Sequence, residues 1–165
     1  MLQDAGNATT LANYLEILGE SKLLIGLQKY AMDNARKYNS IPKLQVFNNA
    51  LLTVMSDGMT FEKAYTHPEL WGRWVESAVG CYLLDQAEEL EYQLYYWRDN
   101  NEEVDFVIVR GDKLVSIEVK SGRRQHNSGL NTFHQKYHPQ YSLVVGGNVM
   151  PLEQFFCGDL SRLLE

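Results

Sequence analysis

The stretch from Glu103 to Lys120 constrains this chain more than any other. It reads EVDFVIVRGDKLVSIEVK, with β-branched and aromatic residues on both sides of Gly111-Asp112. Glycine at the first central position suits a type II′ two-residue turn, the kind that joins two antiparallel strands. With that turn, Arg110 faces Lys113 and the register follows outward. Ile108 meets Val115, Phe106 meets Ile117 and Val104 meets Val119, which makes one apolar, core-facing surface. On the other surface Val109 meets Leu114, Val107 meets Ser116, Asp105 meets Glu118 and Glu103 meets Lys120.

Two carboxylates directly opposite each other repel, and the pair costs stability unless a proton or a cation lies between them. A divalent cation suits the place, because Mg²⁺ is bound through one or two carboxylates with water and substrate oxygens completing its shell. Lys120, two residues beyond Glu118 on the same surface, can reach a phosphate or a metal-bound water. Acids and a lysine on a solvated strand face are the simpler explanation. The direct opposition of the acids and the semi-apolar flank of Val107, Val109, Leu114 and Ser116 speak for a site.

The rest of the chain predicts an α/β (α+β) fold. Thr10 caps a helix with apolar positions Leu11, Tyr14, Leu15 and Leu18, stopped by Gly19. Strands over 23–27 and 43–47 flank a polar connector over 33–40, and a helix over 50–55 follows. Gly58, Pro68 and the polar residues around them mark a seam over 56–70. Beyond it come a helix over 71–86, a strand over 93–98, the hairpin, a helix over 129–137 stopped by Pro139, and a strand over 141–145. The order helix-strand-strand-strand-helix-strand implies a layered domain over 66–165. Residues 1–65 hold too little structure to stand alone.

Composition narrows the function. The 165 residues carry 15 Lys/Arg against 21 Asp/Glu, a net charge of −6, so a broad non-specific DNA-binding coat is not expected. The imbalance is uneven, with −1 over residues 1–70 and −5 over 71–165. Two cysteines, Cys81 and Cys157, are too few for a disulfide framework, and neither a membrane span nor a signal peptide is visible. A cytoplasmic protein is expected.

Asp105, thirteen residues before Glu118 in Ile117-Glu118-Val119-Lys120, resembles the D-(x)n-E-x-K signature of the PD-(D/E)XK nuclease superfamily. Val104 stands where the family name has proline. The wider text is similar to the C-terminal region of bacterial and archaeal AAA-type ATPases, in which a winged-helix-like segment precedes a nuclease-like domain. It includes Tyr14–Leu18, Pro42-Lys43-Leu44, Asn49–Leu52, Gly72–Glu76, Tyr96-Trp97-Arg98 and Leu143–Gly146.

The resemblance implies a restriction-endonuclease-like mixed sheet flanked by helices over 66–165, preceded by a partial winged-helix-like segment over 1–65. It makes Asp105 and Glu118 ligands of Mg²⁺ (or Mn²⁺), makes Lys120 a stabiliser of the attacking water or of the developing phosphorane charge, and gives Glu76 the place of an acid supplied from the preceding helix. DNA is the implied substrate, with RNA as the other nucleic acid, and an ATPase module is the implied neighbour. No G-x-x-x-x-G-K-[ST] occurs here, so ATP would bind only at an upstream module absent from this chain. A nuclease fold without turnover, kept for binding or regulation, is the alternative, and an oligomerisation domain is a third.

Glu76 has a local argument of its own, because Gly72 and Gly80 lie one turn to either side and leave room for close approach. It could equally be a surface acid beside Arg73. Arg123 and Arg124 extend the basic end of the hairpin and could meet a nucleic-acid backbone, or be a solvated loop. His134 and His138, four apart, lack a third zinc ligand. Tyr95, Tyr96 and Trp97 read as core before they read as base-stacking residues, and Gly146-Gly147 reads as a turn.

Overall fold

A computed structural model describes residues 8–33, 40–122 and 128–165. The N-terminal part holds α1 (Ala8–Glu20) and an antiparallel ribbon of β1 (Leu24–Leu27) and β2 (Lys43–Val46), with Leu24 opposite Val46 and Leu27 opposite Lys43. Helix α1 already contains Thr10, so Thr10 is not its cap. Gly19 lies in the last turn, and Lys22 takes the left-handed conformation (φ 51°) that ends the run.

Three helices follow: α2 (Ala50–Met55), α3 (Phe61–Thr66) and α4 (Pro68–Ala87). The expected seam over 56–70 is therefore largely helical. Its start signals are polar rather than apolar. The Thr60 hydroxyl accepts the Lys63 amide at 3.3 Å, and Pro68 occupies the first turn of α4, where its missing N–H costs nothing.

The second part adds β3 (Gln93–Asp99), β4 (Glu102–Arg110), β5 (Lys113–Lys120), α5 (Ser128–Tyr137), β6 (Tyr141–Gly146), α6 (Leu152–Cys157) and a 3₁₀ turn (Leu160–Leu163). The four strands form one mixed sheet in sequence order, antiparallel through β5 and parallel between β5 and β6. Gly111 has φ 59°, as the expected turn requires, and Gly146 and Gly147 have φ 87° and 58° in the turn after β6.

Helices cover both faces. Val79 and Leu83 of α4 pack on Phe106, Ile108, Val115 and Ile117; Leu130 and Phe133 of α5 pack on Trp97, Val104, Val107 and Leu114. Tyr95, Tyr96 and Trp97 are buried as core residues. Helix α6 and the 3₁₀ turn, which apolar spacing did not reveal, add Phe155, Leu160 and Leu164 to the α4 side. Among the described residues no helix is long and apolar enough to cross a membrane.

The hairpin register holds from Arg110–Lys113 to Phe106–Ile117 and stops there. The cause lies on the other edge of β4. Tyr95 pairs with Val107 but Trp97 pairs with Val104, so Asp105 and Phe106 share the place opposite Tyr96. That extra residue is a β-bulge, which turns a strand and leaves one residue unpaired. It also reverses the side-chain alternation. Val104 therefore lies under α5 with Val107, not on the surface of Phe106 and Ile108. The expected ladder pairs Val104–Val119, Asp105–Glu118 and Glu103–Lys120 are not formed.

The N-terminal ribbon is tied to this sheet. The Tyr30 amide donates to the Tyr96 carbonyl at 2.7 Å, the Tyr96 amide to the Gln28 carbonyl at 3.2 Å, and the Tyr96 hydroxyl to the Ile41 carbonyl at 2.6 Å. Gln45 fills the notch at Gly80, where an alanine Cβ would come within 2.2 Å of its Oε1. Its amide donates to the carbonyls of Val46 and Ser77 at 2.9 and 3.0 Å.

Candidate active site

The bulge creates the site. Where β4 leaves the ladder, the backbone N–H of Val119 loses its strand partner, and the Asp105 carboxylate replaces it: Oδ2 accepts that N–H at 2.8 Å. One oxygen of Asp105 is thus committed to the protein. The other, Oδ1, lies 3.5 Å from the ammonium of Lys43 at the start of β2. The same Nζ stands 2.5 Å from Glu76 Oε1 on α4 and 3.8 Å from Glu103 Oε1 on β4, and it donates to the Asp105 carbonyl at 3.4 Å. It also lies 5.1 Å over the Phe106 ring.

Glu118 and Lys120 complete the cluster from β5. Successive residues on a strand share a face every second position, and Lys120 Nζ reaches Glu118 Oε1 at 2.5 Å. The other oxygen, Glu118 Oε2, is buried with no hydrogen-bond partner among the described residues. A buried, unpaired carboxylate oxygen costs free energy and calls for an explanation.

The electrostatics follow from this crowding. Burial pushes the Asp105 carboxyl up to about 7, against the opposing pull of Lys43; Glu76 and Glu118 push it further up, and the Val119 hydrogen bond pulls it down. Burial also raises Glu118, with Lys120 opposing and Glu103 reinforcing. Burial acts to lower the Lys43 ammonium, but Asp105, Glu76 and Glu103 outweigh it and hold Lys43 above its ordinary value, firmly charged.

Glycines shape the surroundings. An alanine Cβ at Gly129, in the first turn of α5, would stand 1.9 Å from the Glu103 carbonyl oxygen, so the helix presses directly on the start of β4. At Gly72 it would stand 3.2 Å from Ser121 Oγ, just past β5. The two glycines flanking Glu76 thus do admit close neighbours, Ser121 on one side and Gln45 on the other. Beside the cluster opens a cleft of about 530 Å³ lined by Lys29, Ser40 to Lys43, Tyr96, Arg98 and Glu103. Arg98 holds Glu103 there at 2.5 Å.

The structure therefore brings Glu76, Asp105, Glu118 and Lys120 to one place on three elements. Arg123 and Arg124 lie outside the described residues. Among the described residues His134 and His138 gain no third ligand, and no three His, Cys, Asp or Glu side chains converge as a ready-made metal cage. The carboxylates are instead spread around two ammonium groups. Lys43 is the group the spacing arguments missed. It lies 62 residues from Asp105 in the chain, and no local sequence signal marks it.

The chain matches no curated protein sequence and no solved structure. Residues 71–161 match the family described as domain of unknown function (DUF4143). That stretch holds Glu76, Asp105, Glu118 and Lys120 and more than half of the 165 residues, and the chain belongs to the DUF4143 family.

Proposed function

We propose that residues 66–165 form a PD-(D/E)XK nuclease-like domain that hydrolyses phosphodiester bonds in DNA with a divalent metal. The observation that carries this reading is the gathering of Asp105, Glu118, Glu76 and Lys120 where β4 and β5 separate, with a buried Glu118 oxygen that no described protein group satisfies. A mixed four-stranded sheet with helices on both faces is also the layout that a restriction-endonuclease-like fold implies. The same reading makes residues 1–65 a partial winged-helix-like segment, and the chain the C-terminal part of an AAA-type ATPase.

The donor set fits Mg²⁺ or Mn²⁺. It is all oxygen, it holds two neighbouring carboxylates, and hard cations of this kind take few protein ligands and keep several waters. Asp105 and Glu118 would hold the ion, which supplies Lewis acidity and a more acidic bound water. The remaining work falls to the chain. The Val119 N–H fixes the Asp105 carboxylate, so that its free oxygen points into the cluster. Lys120 opposes the rise that burial imposes on the Glu118 carboxyl, and its ammonium is placed to balance charge that builds on an attacked phosphate. Lys29 and Arg98 line a cleft through which a phosphate backbone can approach.

A second reading, a nuclease fold without turnover that binds nucleic acid or protein, draws on one observation. Both carboxylates already have lysine partners, Lys43 on Asp105 and Lys120 on Glu118. Cleavage of plasmid DNA in Mg²⁺ or Mn²⁺ separates the two. The nuclease reading expects the Asp105→Asn variant to lose at least about 100-fold in rate, since even partners of metal ligands cost 10–100-fold. Equal cutting by variant and parent assigns the activity to a contaminant, and no cutting by either favours the binding module.

A further inference from the structure

We propose that Lys43 is the resident cation of this acid cluster, and that a divalent metal enters only by displacing its ammonium group. The inference rests on the metal-site reading above and adds to it a regulator carried by the N-terminal ribbon, outside the residues that match the family.

Three carboxylates from two elements surround Lys43 Nζ at 2.5, 3.5 and 3.8 Å, and a backbone carbonyl adds a fourth oxygen at 3.4 Å. That is an all-oxygen environment with several negative charges, the kind a hard cation takes. Its occupant is a single positive charge, and the side chain is only 19 % exposed. A divalent ion on Asp105 would lie within a few ångströms of that ammonium, where like charges repel strongly in a partly buried site. The two cations therefore compete for Asp105 Oδ1.

The competition is built in rather than incidental. The Tyr96 amide donating to the Gln28 carbonyl, the Tyr30 amide donating to the Tyr96 carbonyl, and the Tyr96 hydroxyl on Ile41 anchor the ribbon just ahead of Lys43. The side chain itself has an exit. Lys43 also lines the 530 Å³ cleft with Lys29 and Arg98, so its four methylenes can swing outward while β2 stays in place. A phosphate arriving in that cleft offers the displaced ammonium a new partner, which couples substrate entry to metal entry.

Mn²⁺ binding, followed by the loss of the free-ion electron paramagnetic resonance signal at pH 8.5, tests this on the full chain. The Lys43→Met variant is expected to bind at least tenfold more tightly than the parent, and Lys43→Arg, which keeps the charge, to stay within about twofold of it. Equal or weaker binding by a natively folded Lys43→Met overturns the proposal and leaves the nuclease reading standing. Absence of Mn²⁺ binding by all three chains overturns both. Reductive methylation of the unmodified chain needs no variant. Labelling of Lys43, read by mass spectrometry, should rise severalfold in saturating Mg²⁺ while exposed Lys63 stays constant, and an unchanged Lys43 under those conditions refutes displacement.

Discussion

Replacing Asp105 with asparagine should stabilise the metal-free protein, and the gain should depend on pH. The Asp105 carboxyl is pushed from an ordinary 3.8 up to about 7 by burial, with Glu76 and Glu118 adding to the rise and Lys43 and the Val119 N–H opposing it. Because the folded state holds this proton more tightly than the unfolded chain does, stability is greatest below about pH 4 and falls as pH rises through about 7. Each pKa unit is about 1.4 kcal/mol, so the ionised carboxylate costs the fold on the order of 4 kcal/mol above pH 7. Asparagine carries no such charge, and its carbonyl oxygen can still accept the Val119 N–H. Lys43 keeps Glu76 at 2.5 Å. Urea unfolding in chelator at pH 5.0 and 8.5 measures the difference. The variant's advantage should be larger at pH 8.5 by roughly 3 kcal/mol, the share of that cost that develops between the two values. An advantage that is equal at the two pH values, or larger at pH 5.0, refutes the view that Asp105 is a strained, buried acid.

Other consequences follow from the same geometry. Gly129→Ala places a Cβ 1.9 Å from the Glu103 carbonyl oxygen, so α5 or β4 must move; a loss of about 3 kcal/mol is expected from overpacking, seen as a lower melting temperature by circular dichroism. Metal-dependent cleavage should rise close to tenfold per pH unit below about 7 and level off above it, because Asp105 must lose its proton to serve as a ligand. A rate that is flat between pH 5.5 and 7 would exclude Asp105 from that role.

Much of the fold was legible because it rests on local rules. The hairpin register follows from Gly111-Asp112 and two-residue alternation, and it holds for the five pairs nearest the turn, from Arg110–Lys113 to Phe106–Ile117. What alternation cannot show is a bulge, since inserting one residue leaves the sequence looking regular while reversing every side chain beyond it. Val104 is the clearest case: equally apolar on either face, it gives no hint that it belongs with Trp97 rather than Phe106. Helix α3 escaped because its start is written in Thr60, whose hydroxyl accepts the Lys63 amide, and not in an apolar stripe. Asp105, Glu118 and Lys120 could be singled out because they are close in a single hairpin. Lys43 could not, because its meeting with Asp105 depends on how the ribbon docks against β3 and α4, a long-range packing result with no local signature.

Everything proposed for this site requires the carboxylates gathered at the parting of β4 and β5 to hold a divalent cation. Anomalous diffraction from crystals of this chain soaked in tens of millimolar Mn²⁺ at pH 8.5 addresses it most directly. A peak is expected about 2.1 Å from oxygens of both Asp105 and Glu118, with Lys43 moved away from Asp105. Data showing no peak there, with Lys43 still on Asp105 and Glu76 and Lys120 still on Glu118, would contradict it.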